Sequence, residues 1–366
     1  MNANSCRNLA GFLGASLVFY LAGTAARAQA PEGPQGGKQQ QGAPPVERKP
    51  APPQQKPQDS GASIAVEVPV VTMDVIAATN HGDLLTGLKK ENFRVIDEGV
   101  AQTITNFGST EAPITLVMLM EFSSRGYYDW FAYQAKYWAD AFFPHLKQKD
   151  WVALITFDMK PRLEVDFTQN KDEVRNALYH LYFPGFSESN VFDAILDTTD
   201  RLKDVKGKKA ILVLATGVDT FSKHTLDQTM KLLRQTDTTI FCVGLDKPYT
   251  NFLDSHGSMS SHMNYLQGEN QLKTFASMTG GYAWFPQFDG EIPGIFQTIT
   301  AFLRNQYSLS YTPTTGVSDG KFHKVKIELV APDGSPLDVK DQKGKKQKVV
   351  VYAREGYTAV KGGVGD

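Results

Sequence analysis

The chain has 366 residues, with 38 Lys and Arg against 39 Asp and Glu, and therefore a formal net charge of −1. This balance argues against a nucleic-acid partner, because such a partner usually requires a basic surface. Hydrophobic residues make up 41% of the chain and aromatic residues 11%, which is enough for a large buried core. The two cysteines exclude a scaffold built from disulfides or from Cys-based zinc modules.

The first segment, residues 1–28, has the pattern of a signal peptide. Arg7 precedes an apolar run at residues 9–22, which is shorter than the roughly 20 apolar residues of a membrane-spanning helix. Residues 26–28, Ala-Arg-Ala, fit the small-x-small pattern of a cleavage site. We therefore expect an exported protein, periplasmic or extracellular, with no transmembrane span in the mature chain. An uncleaved N-terminal anchor is the alternative.

Residues 29–63 form a predicted linker. This stretch contains eight of the 19 prolines, eight glutamines and no aromatic residue. Such a composition does not bury enough apolar surface to offset the entropy lost on ordering, and its prolines favour an extended chain. We expect a Pro/Gln-rich disordered spacer.

Residues 64–111 have the pattern of an N-terminal β segment. Residues 64–79 are rich in β-branched side chains, and residues 93–96 and 102–107 read as two more strands. Asp-Glu-Gly at residues 97–99 supplies the turn between the latter two.

From residue 112 to residue 304 the pattern alternates between strands and helices. The continuous apolar run at residues 114–120 is typical of a strand that is buried on both faces. Helical spacing follows at residues 128–146. Further helices are predicted at residues 171–181, 191–202, 226–233, 271–278 and 292–303, in alternation with strands. This order predicts an α/β domain, a doubly wound and mostly parallel sheet with helices on both faces.

Residues 305–360 return to a β pattern, with predicted strands at residues 306–311, 322–330 and 348–353. We expect this C-terminal β segment to pair with residues 64–111 in one β-sandwich that flanks the α/β domain. The alternative is two independent three-stranded sheets, which would leave more unpaired strand edges.

Three polar loops are predicted beyond the strands of the α/β domain, where open parallel sheets usually place their functional residues. Glu121 ends the first strand, and Ser123 and Arg125 follow it. Ser189 precedes the predicted helix at residue 191, and Thr216 follows the predicted strand at residues 210–214. The loops are rich in oxygen atoms, which a hard cation such as Mg²⁺ prefers as ligands.

The order of the elements and these three loops resemble a von Willebrand factor A domain. The flanking motifs resemble those of the VWFA-related secreted proteins of Acidobacteria, and the likeness covers about residues 66–358. These motifs are Leu-Thr-Gly-Leu at residues 85–88, Glu-Asn-Phe-Arg-Val at 91–95, Gln-Tyr-Ser-Leu-Ser-Tyr-Thr-Pro at 306–313 and Arg-Glu-Gly-Tyr at 354–357. The resemblance implies a fold more than an activity.

The metal-ion-dependent adhesion site of such domains uses Asp-x-Ser-x-Ser, a Thr and a second Asp. By resemblance, these positions fall on Glu121, Ser123 and Arg125, on Ser189 and on Thr216. One carboxylate and one guanidinium thus replace two carboxylates. A guanidinium at about 4 Å disfavours a cation by roughly 4 kcal/mol at an effective dielectric constant of 20. We therefore expect a degenerate site without a cofactor. If Mg²⁺ does bind, Glu121, Ser123 and Ser189 are its candidate ligands.

Two interpretations of Arg125 stay open. Its guanidinium either replaces the metal ion, pairs with Glu121 and receives a carboxylate from a partner, or it is a solvated loop residue. The predicted partner is a protein or a component of the extracellular matrix or envelope. The predicted partner-binding residues are Glu121, Ser123, Arg125, Ser189 and Thr216.

Sequence signals for an enzyme are weak. The chain has no Gly-x-Ser-x-Gly motif, no phosphate-binding P-loop and no Gly-x-Gly-x-x-Gly motif after a strand. Glu121 and Asp158 are a conceivable carboxylate pair for glycoside hydrolysis, but the sequence does not set their separation. We predict an adhesion-type binding protein with no catalytic residues. A secreted hydrolase and a structural envelope component are the alternatives.

Overall fold

The computed structural model describes residues 70–109, 112–123, 141–181, 186–244, 259–314, 319–341 and 343–360. The predicted signal peptide and linker lie outside these residues, as do Arg125 and residues 128–140 of the helix predicted at 128–146. The described residues all belong to one compact unit of the chain.

Strands at both ends of this unit enclose a region of alternating strands and helices. The chain begins with β1 (Val71–Thr79), β2 (Phe93–Asp97), β3 (Val100–Gln102) and β4 (Ile104–Gly108). The alternating region contains β5 (Ile114–Glu121), β6 (Trp151–Phe157), β7 (Pro161–Thr168), α1 (Lys171–Tyr179), α2 (Val191–Leu202), β8 (Lys208–Leu214), α3 (Leu226–Leu233), β9 (Thr239–Val243), α4 (Met259–Met278), β10 (Ala283–Trp284) and α5 (Ile292–Arg304). The last strands are β11 (Tyr307–Tyr311), β12 (Phe322–Leu329), β13 (Val339–Lys340), β14 (Lys346–Gln347), β15 (Val349–Ala353) and β16 (Gly356–Thr358). Short 3₁₀ helices occur at Lys90–Asn92, Phe143–His145 and Asp289–Glu291.

The central sheet has six strands in the order β10-β9-β8-β5-β6-β7. All its neighbouring pairs are parallel except β6 and β7, which are antiparallel. Every residue of β5 and β8 is buried, because helices cover both faces of the sheet. Alternate β5 residues enter different apolar clusters: Leu116 and Met118 pack on one face, and Val117 and Leu119 on the other.

Two buried lysines at the start of β8 fix helices to the sheet. The Nζ of Lys209 donates to the carbonyl of Leu202 at 2.9 Å, at the C-terminus of α2. The Nζ of Lys208 donates to the carbonyl of Leu303 at 3.1 Å, at the C-terminus of α5. The last carbonyls of a helix lack partners within the helix and favour a cation. Each lysine therefore satisfies a helix end and avoids burial of an unpaired charge.

The terminal strands form a β-sandwich of two four-stranded sheets, ordered β15-β1-β11-β4 and β16-β12-β2-β3. Met73 of β1 lies opposite Leu309 of β11, and Val95 of β2 lies opposite Ile327 of β12. These four side chains belong to one buried cluster between the sheets. The structure therefore confirms the predicted fold class, a mostly parallel α/β sheet flanked by a sandwich of N- and C-terminal strands. The residue boundaries proposed for the segments stay predictions.

Strand β1 joins the two cores. Val75 and Ala77 pack into the sandwich, whereas Ile76 and Ala78 pack into the apolar cluster of the α/β region. Because successive residues of a strand point to opposite faces, a single strand belongs to both cores. The sandwich is therefore attached to the α/β region through a shared buried surface.

Two elements differ from the sequence-based expectation, and a third lies mostly outside the described residues. The strand predicted at residues 102–107 divides at Thr103, because β3 pairs with β2 in one sheet while β4 pairs with β11 in the other. The helix predicted to begin at residue 271 is part of α4, which begins at Met259. Its first half is polar and contains Gly268, a composition that lowers helix propensity. The third is the helix predicted at residues 128–146, in whose described part residues 141–142 are helical and Phe143–His145 form a 3₁₀ helix.

Candidate functional site

The candidate site lies where the central strands end. Met120 of β5 and Leu214 of β8 are adjacent in the parallel register, so Glu121 and the loop after β8 emerge at the same edge of the sheet. Glu121 is the last residue of β5, and Ser123 lies two residues after it. Thr216 likewise lies two residues after the last residue of β8. We call the loops after β5, before α2 and after β8 the top loops.

The Glu121 carboxylate binds three hydrogen-bond donors. Its Oε2 accepts from the Thr216 N–H at 2.7 Å and from the Thr216 hydroxyl at 2.8 Å. Its Oε1 accepts from the Ser123 hydroxyl at 2.8 Å. The side chain is only 1% exposed. Burial raises the pKa of the Glu121 carboxyl above its ordinary value, although the hydrogen bonds from Thr216 and Ser123 oppose that shift.

Ser189 holds the second top loop against the third. Its carbonyl accepts from the N–H groups of Thr220 at 2.8 Å and Phe221 at 3.0 Å, and its N–H donates to the Thr220 hydroxyl at 2.9 Å. The Ser189 hydroxyl lies near Glu121 and helps to keep the pKa of Glu121 down. It nevertheless meets no described residue with full hydrogen-bond geometry, although the residue is only 3% exposed. This buried hydroxyl is available to a ligand.

A cavity of about 210 Å³ opens beside the Glu121 carboxylate. Its walls come from the end of β5, the loops before α2 and after β8, and the first half of α4. The lining residues are Glu121, Ser189, Thr216, Val218, Thr220, Asn264 and Tyr265.

A contact between two glycines sets the position of α4 beside the third top loop. Gly217 has φ +77°, a left-handed conformation that glycine adopts without strain. A Cβ on Gly268 would lie 2.6 Å from the Thr216 carbonyl oxygen, so only glycine fits there. This close approach of two backbones brings Asn264 and Tyr265, one turn earlier in α4, to the cavity.

Two aspartates beside the cavity tether the third top loop. Asp193 of α2 accepts from the N–H groups of Lys223 and His224 at 2.9 and 3.2 Å, and its Oδ1 lies 2.7 Å from Nδ1 of His224. Asp219 accepts from the Ser222 hydroxyl at 2.5 Å. Burial alone would raise the pKa of Asp193, but these hydrogen bonds outweigh it and lower the pKa. Such bonds hold the loop against the start of α2.

Asp158, the other carboxylate considered for hydrolysis, is held by an arginine. Both of its carboxylate oxygens lie 2.8 Å from one guanidinium nitrogen of Arg162. The Asp158 carbonyl also accepts from the Asn190 N–H at 2.9 Å, which joins β6 to the second top loop. These contacts give Asp158 a role in positioning the loop.

The structure brings four of the five predicted site residues together. Glu121, Ser123 and Thr216 form one hydrogen-bonded cluster, and Ser189 lines the cavity beside it. Arg125 lies outside the described residues. The sequence analysis missed Asn264 and Tyr265. The signal for them was weak, because residues 259–270 have no clear apolar period and the start of α4 was not recognised.

The region that contains the cavity was compared with known protein families. Residues 115–277 match the family model of the von Willebrand factor type A domain. No curated protein matches the chain.

Matches to solved structures were also found, all at low sequence identity. One is the conserved hypothetical protein BatB from Bacteroides thetaiotaomicron, with 14% identity, 52% of this chain and 98% of that chain covered, and a TM-score of 0.37. Another is the vWF domain of the type V pili tip protein Mfa5 from Porphyromonas gingivalis, with 11% identity, coverage of 52% and 95%, and a TM-score of 0.38. A third is a von Willebrand factor type A protein from Catenulispora acidiphila, with 11% identity, coverage of 79% and 74%, and a TM-score of 0.40.

The family match spans the strands and helices that build the cavity, from β5 to α4. The parallel sheet with helices on both faces, observed independently of that match, has the architecture that the match implies. Residues 115–277 are therefore similar to the von Willebrand factor type A domain in sequence, and their strands and helices have the arrangement that this match implies.

Proposed function

We propose that this chain is an exported protein-binding module of the adhesion type, which contacts its partner through the top loops without a metal ion. The observation that carries the proposal is the Glu121 cavity, a polar recess built from the end of β5, the top loops before α2 and after β8, and the first half of α4. The proposed contact residues are Glu121, Ser123, Arg125, Ser189 and Thr216. The partner is a protein or a component of the matrix or envelope.

The donor set supports a degenerate metal-ion-dependent adhesion site. Mg²⁺ prefers octahedral oxygen ligands that usually include one or two carboxylates. Thr216 supplies a hydroxyl where the family pattern has an aspartate, and Glu121 already accepts three internal hydrogen bonds. Within the described ranges, no three His, Cys, Asp or Glu side chains converge in a group suited to a metal ion. This donor set supports a site that works without Mg²⁺.

Exposed apolar side chains beside the cavity support a protein contact. Phe221 is 49% exposed and follows Thr220 of the cavity wall, and Met263 is 57% exposed and precedes Asn264. Phe186, the first described residue of the top loop before α2, is 51% exposed. Apolar and aromatic side chains around a polar recess are typical of protein–protein interfaces.

Export is proposed from the sequence of residues 1–28. In the part of the chain that the structure describes, no helix combines the length and apolar character needed to cross a bilayer. We propose a periplasmic or extracellular location and no catalytic role. The contact between Asp158 and Arg162 supports the proposal that the protein has no catalytic role. Because Arg162 holds Asp158, Glu121 has no free carboxylate at Asp158 to act with it in hydrolysis.

Capture of partners from an envelope extract tests the proposal. The bait is the mature chain from residue 29, used with Mg²⁺ or with EDTA. We expect the same partner under both conditions, with at least tenfold less captured by Phe221→Asp and Met263→Asp. Leu232→Asp is the matched control, because Leu232 is 41% exposed near the end of α3, at the opposite edge of the sheet. Capture that requires Mg²⁺, or that the two top-loop variants leave unchanged, would contradict the proposal.

A further inference from the structure

We propose that the Glu121 cavity accepts a lysine side chain of the partner, whose ammonium group pairs with Glu121 and donates a hydrogen bond to the Ser189 hydroxyl. This inference rests on the proposed function and specifies the chemistry of the partner group. It reverses the expected arrangement, in which a partner carboxylate would approach a cation held by this chain.

The charge of the cavity favours a cationic ligand. The three donors to Glu121 are one amide and two hydroxyl groups, all neutral. The ion pairs formed among the described residues do not include Glu121. A buried carboxylate without an opposite charge gains more from a cation than an exposed one does, because water screens the attraction less. The same carboxylate would repel an anionic ligand.

The hydrogen-bonding groups of the cavity favour a donor. A carboxylate offers about four acceptor positions. Three of those on Glu121 are used, and the Ser189 hydroxyl lies near the carboxylate without a hydrogen bond of full geometry to it. The buried Ser189 hydroxyl adds an acceptor that no described residue occupies. An ammonium group has three donors and no acceptor, so it can satisfy both positions at once. An apolar ligand would leave the Ser189 hydroxyl buried without a partner, which is costly.

The geometry favours an ammonium over a guanidinium. A guanidinium binds a carboxylate most strongly through two parallel hydrogen bonds, one to each oxygen. Ser123 already donates to one Glu121 oxygen and Thr216 donates twice to the other, so this paired arrangement is obstructed. An ammonium is a compact charge that needs only one free acceptor position on the carboxylate.

The size and rim of the cavity suit the lysine stem. The volume of about 210 Å³ corresponds to roughly seven water molecules at about 30 Å³ each. Lysine side chains commonly cover their methylene groups with apolar surface while the charged end meets a polar group. Val218 in the wall, and Phe221 and Met263 beside it, supply that apolar surface.

The test measures binding of small probes to the mature chain by NMR titration. The probes are Nα-acetyl-lysine N-methylamide, its Nε-acetylated neutral form and the corresponding arginine derivative. We expect the lysine probe to bind at least tenfold more tightly than the neutral form and more tightly than the arginine probe. Glu121→Gln should remove the preference for the charged probe. Ser189→Ala should weaken lysine binding by about tenfold, because it removes a hydrogen bond to a charged group.

The matched control is Glu328→Gln, which alters a carboxylate of the sandwich far from the top loops and should leave lysine binding unchanged. Thermal unfolding checks that each variant is folded. If Glu121→Gln does not fold, Ser189→Ala still tests the inference. Equal binding of the charged and neutral probes, tighter binding of the arginine probe, or displacement of lysine by micromolar Mg²⁺ would overturn the inference. Loss of partner capture by Phe221→Asp together with equal probe binding would overturn it while leaving the proposed function intact.

Discussion

The two regions of the molecule each bury a carboxylate, and the two are held differently. In the sandwich, Asp97 is 1% exposed, and its Oδ2 accepts from the hydroxyls of Tyr311 and Tyr357 at 3.0 Å each. His323 lies on its other side, with 3.7 Å between its Nδ1 and the Asp97 Oδ1. Glu121 is equally buried, but loop hydroxyls and a backbone amide hold it beside a cavity.

This difference indicates what distinguishes a structural carboxylate from a candidate binding group. Asp97 and Tyr357 belong to one sheet of the sandwich and Tyr311 to the other, so their hydrogen bonds connect the two sheets through the core. The bonds to Glu121 connect loops at a strand edge and leave one side of the carboxylate open to a cavity. Burial and hydrogen bonding are common to both. The open side is what makes Glu121 a candidate for ligand binding.

The largest expected effect is on stability, from Asp97→Ala. The substitution leaves the Tyr311 and Tyr357 hydroxyls buried without their acceptor, and each such group costs about 1–3 kcal/mol. We expect the free energy of unfolding to fall by about 3 kcal/mol, measured by urea denaturation, while lysine-probe binding by the folded protein stays unchanged. Asp97→Asn keeps an acceptor oxygen and should cost less. An unchanged denaturation midpoint for Asp97→Ala would show that Asp97 does not connect the sheets.

The next effect concerns the contact between Gly217 and Gly268. A Cβ at residue 268 meets the Thr216 carbonyl, so Gly268→Ala must displace α4 or the third top loop. We expect a loss of about 2 kcal/mol, typical of overpacking a well-packed site, together with weaker lysine-probe binding. Gly294→Ala in α5 is the matched control, because its added Cβ meets nothing within 4 Å and alanine favours a helix. Equal stability of the two variants would contradict the proposed role of the contact.

The smallest effect is a change in the pH dependence of stability. Burial raises the pKa of Glu121 in the folded state, so the folded protein binds this proton more tightly than the unfolded chain. The contribution of Glu121 is therefore fully present below the unfolded pKa, near 4.5, and is lost as the pH rises toward the folded value. Glu121→Gln removes this dependence, so its stability relative to the wild type should improve as the pH rises.

Urea denaturation between pH 4 and pH 8 measures this change, whose slope is at most about 1.4 kcal/mol per pH unit. Glu328→Gln is the matched control, for which we expect a change in the pH dependence of stability of the opposite sign. A hydrogen bond from Lys326 lowers the pKa of Glu328, so the contribution of Glu328 is present above its unfolded pKa and lost as the pH falls. Parallel pH profiles for the wild type and Glu121→Gln would show that Glu121 titrates alike in both states.

Much of the central fold was predictable because its signals are local. The apolar run of β5 indicated a strand buried on both faces, and the bounds predicted for α2 and α3 match the structure. The convergence of Glu121, Ser123, Ser189 and Thr216 also followed, since parallel strands place their carboxyl ends at one edge. The partner-binding role of these residues, and of Arg125, stays a prediction.

The sequence by itself determined the order of strands and helices, the fold class and the three loops that meet, because these depend on periodicities of two to four residues and on the geometry of parallel sheets. Only the tertiary structure decided which groups close the cavity and which carboxylate is enclosed. Gly217 meets Gly268 across 51 residues, and Asp97 meets Tyr311 across 214. Such contacts depend on how distant segments pack, and no local pattern specifies them.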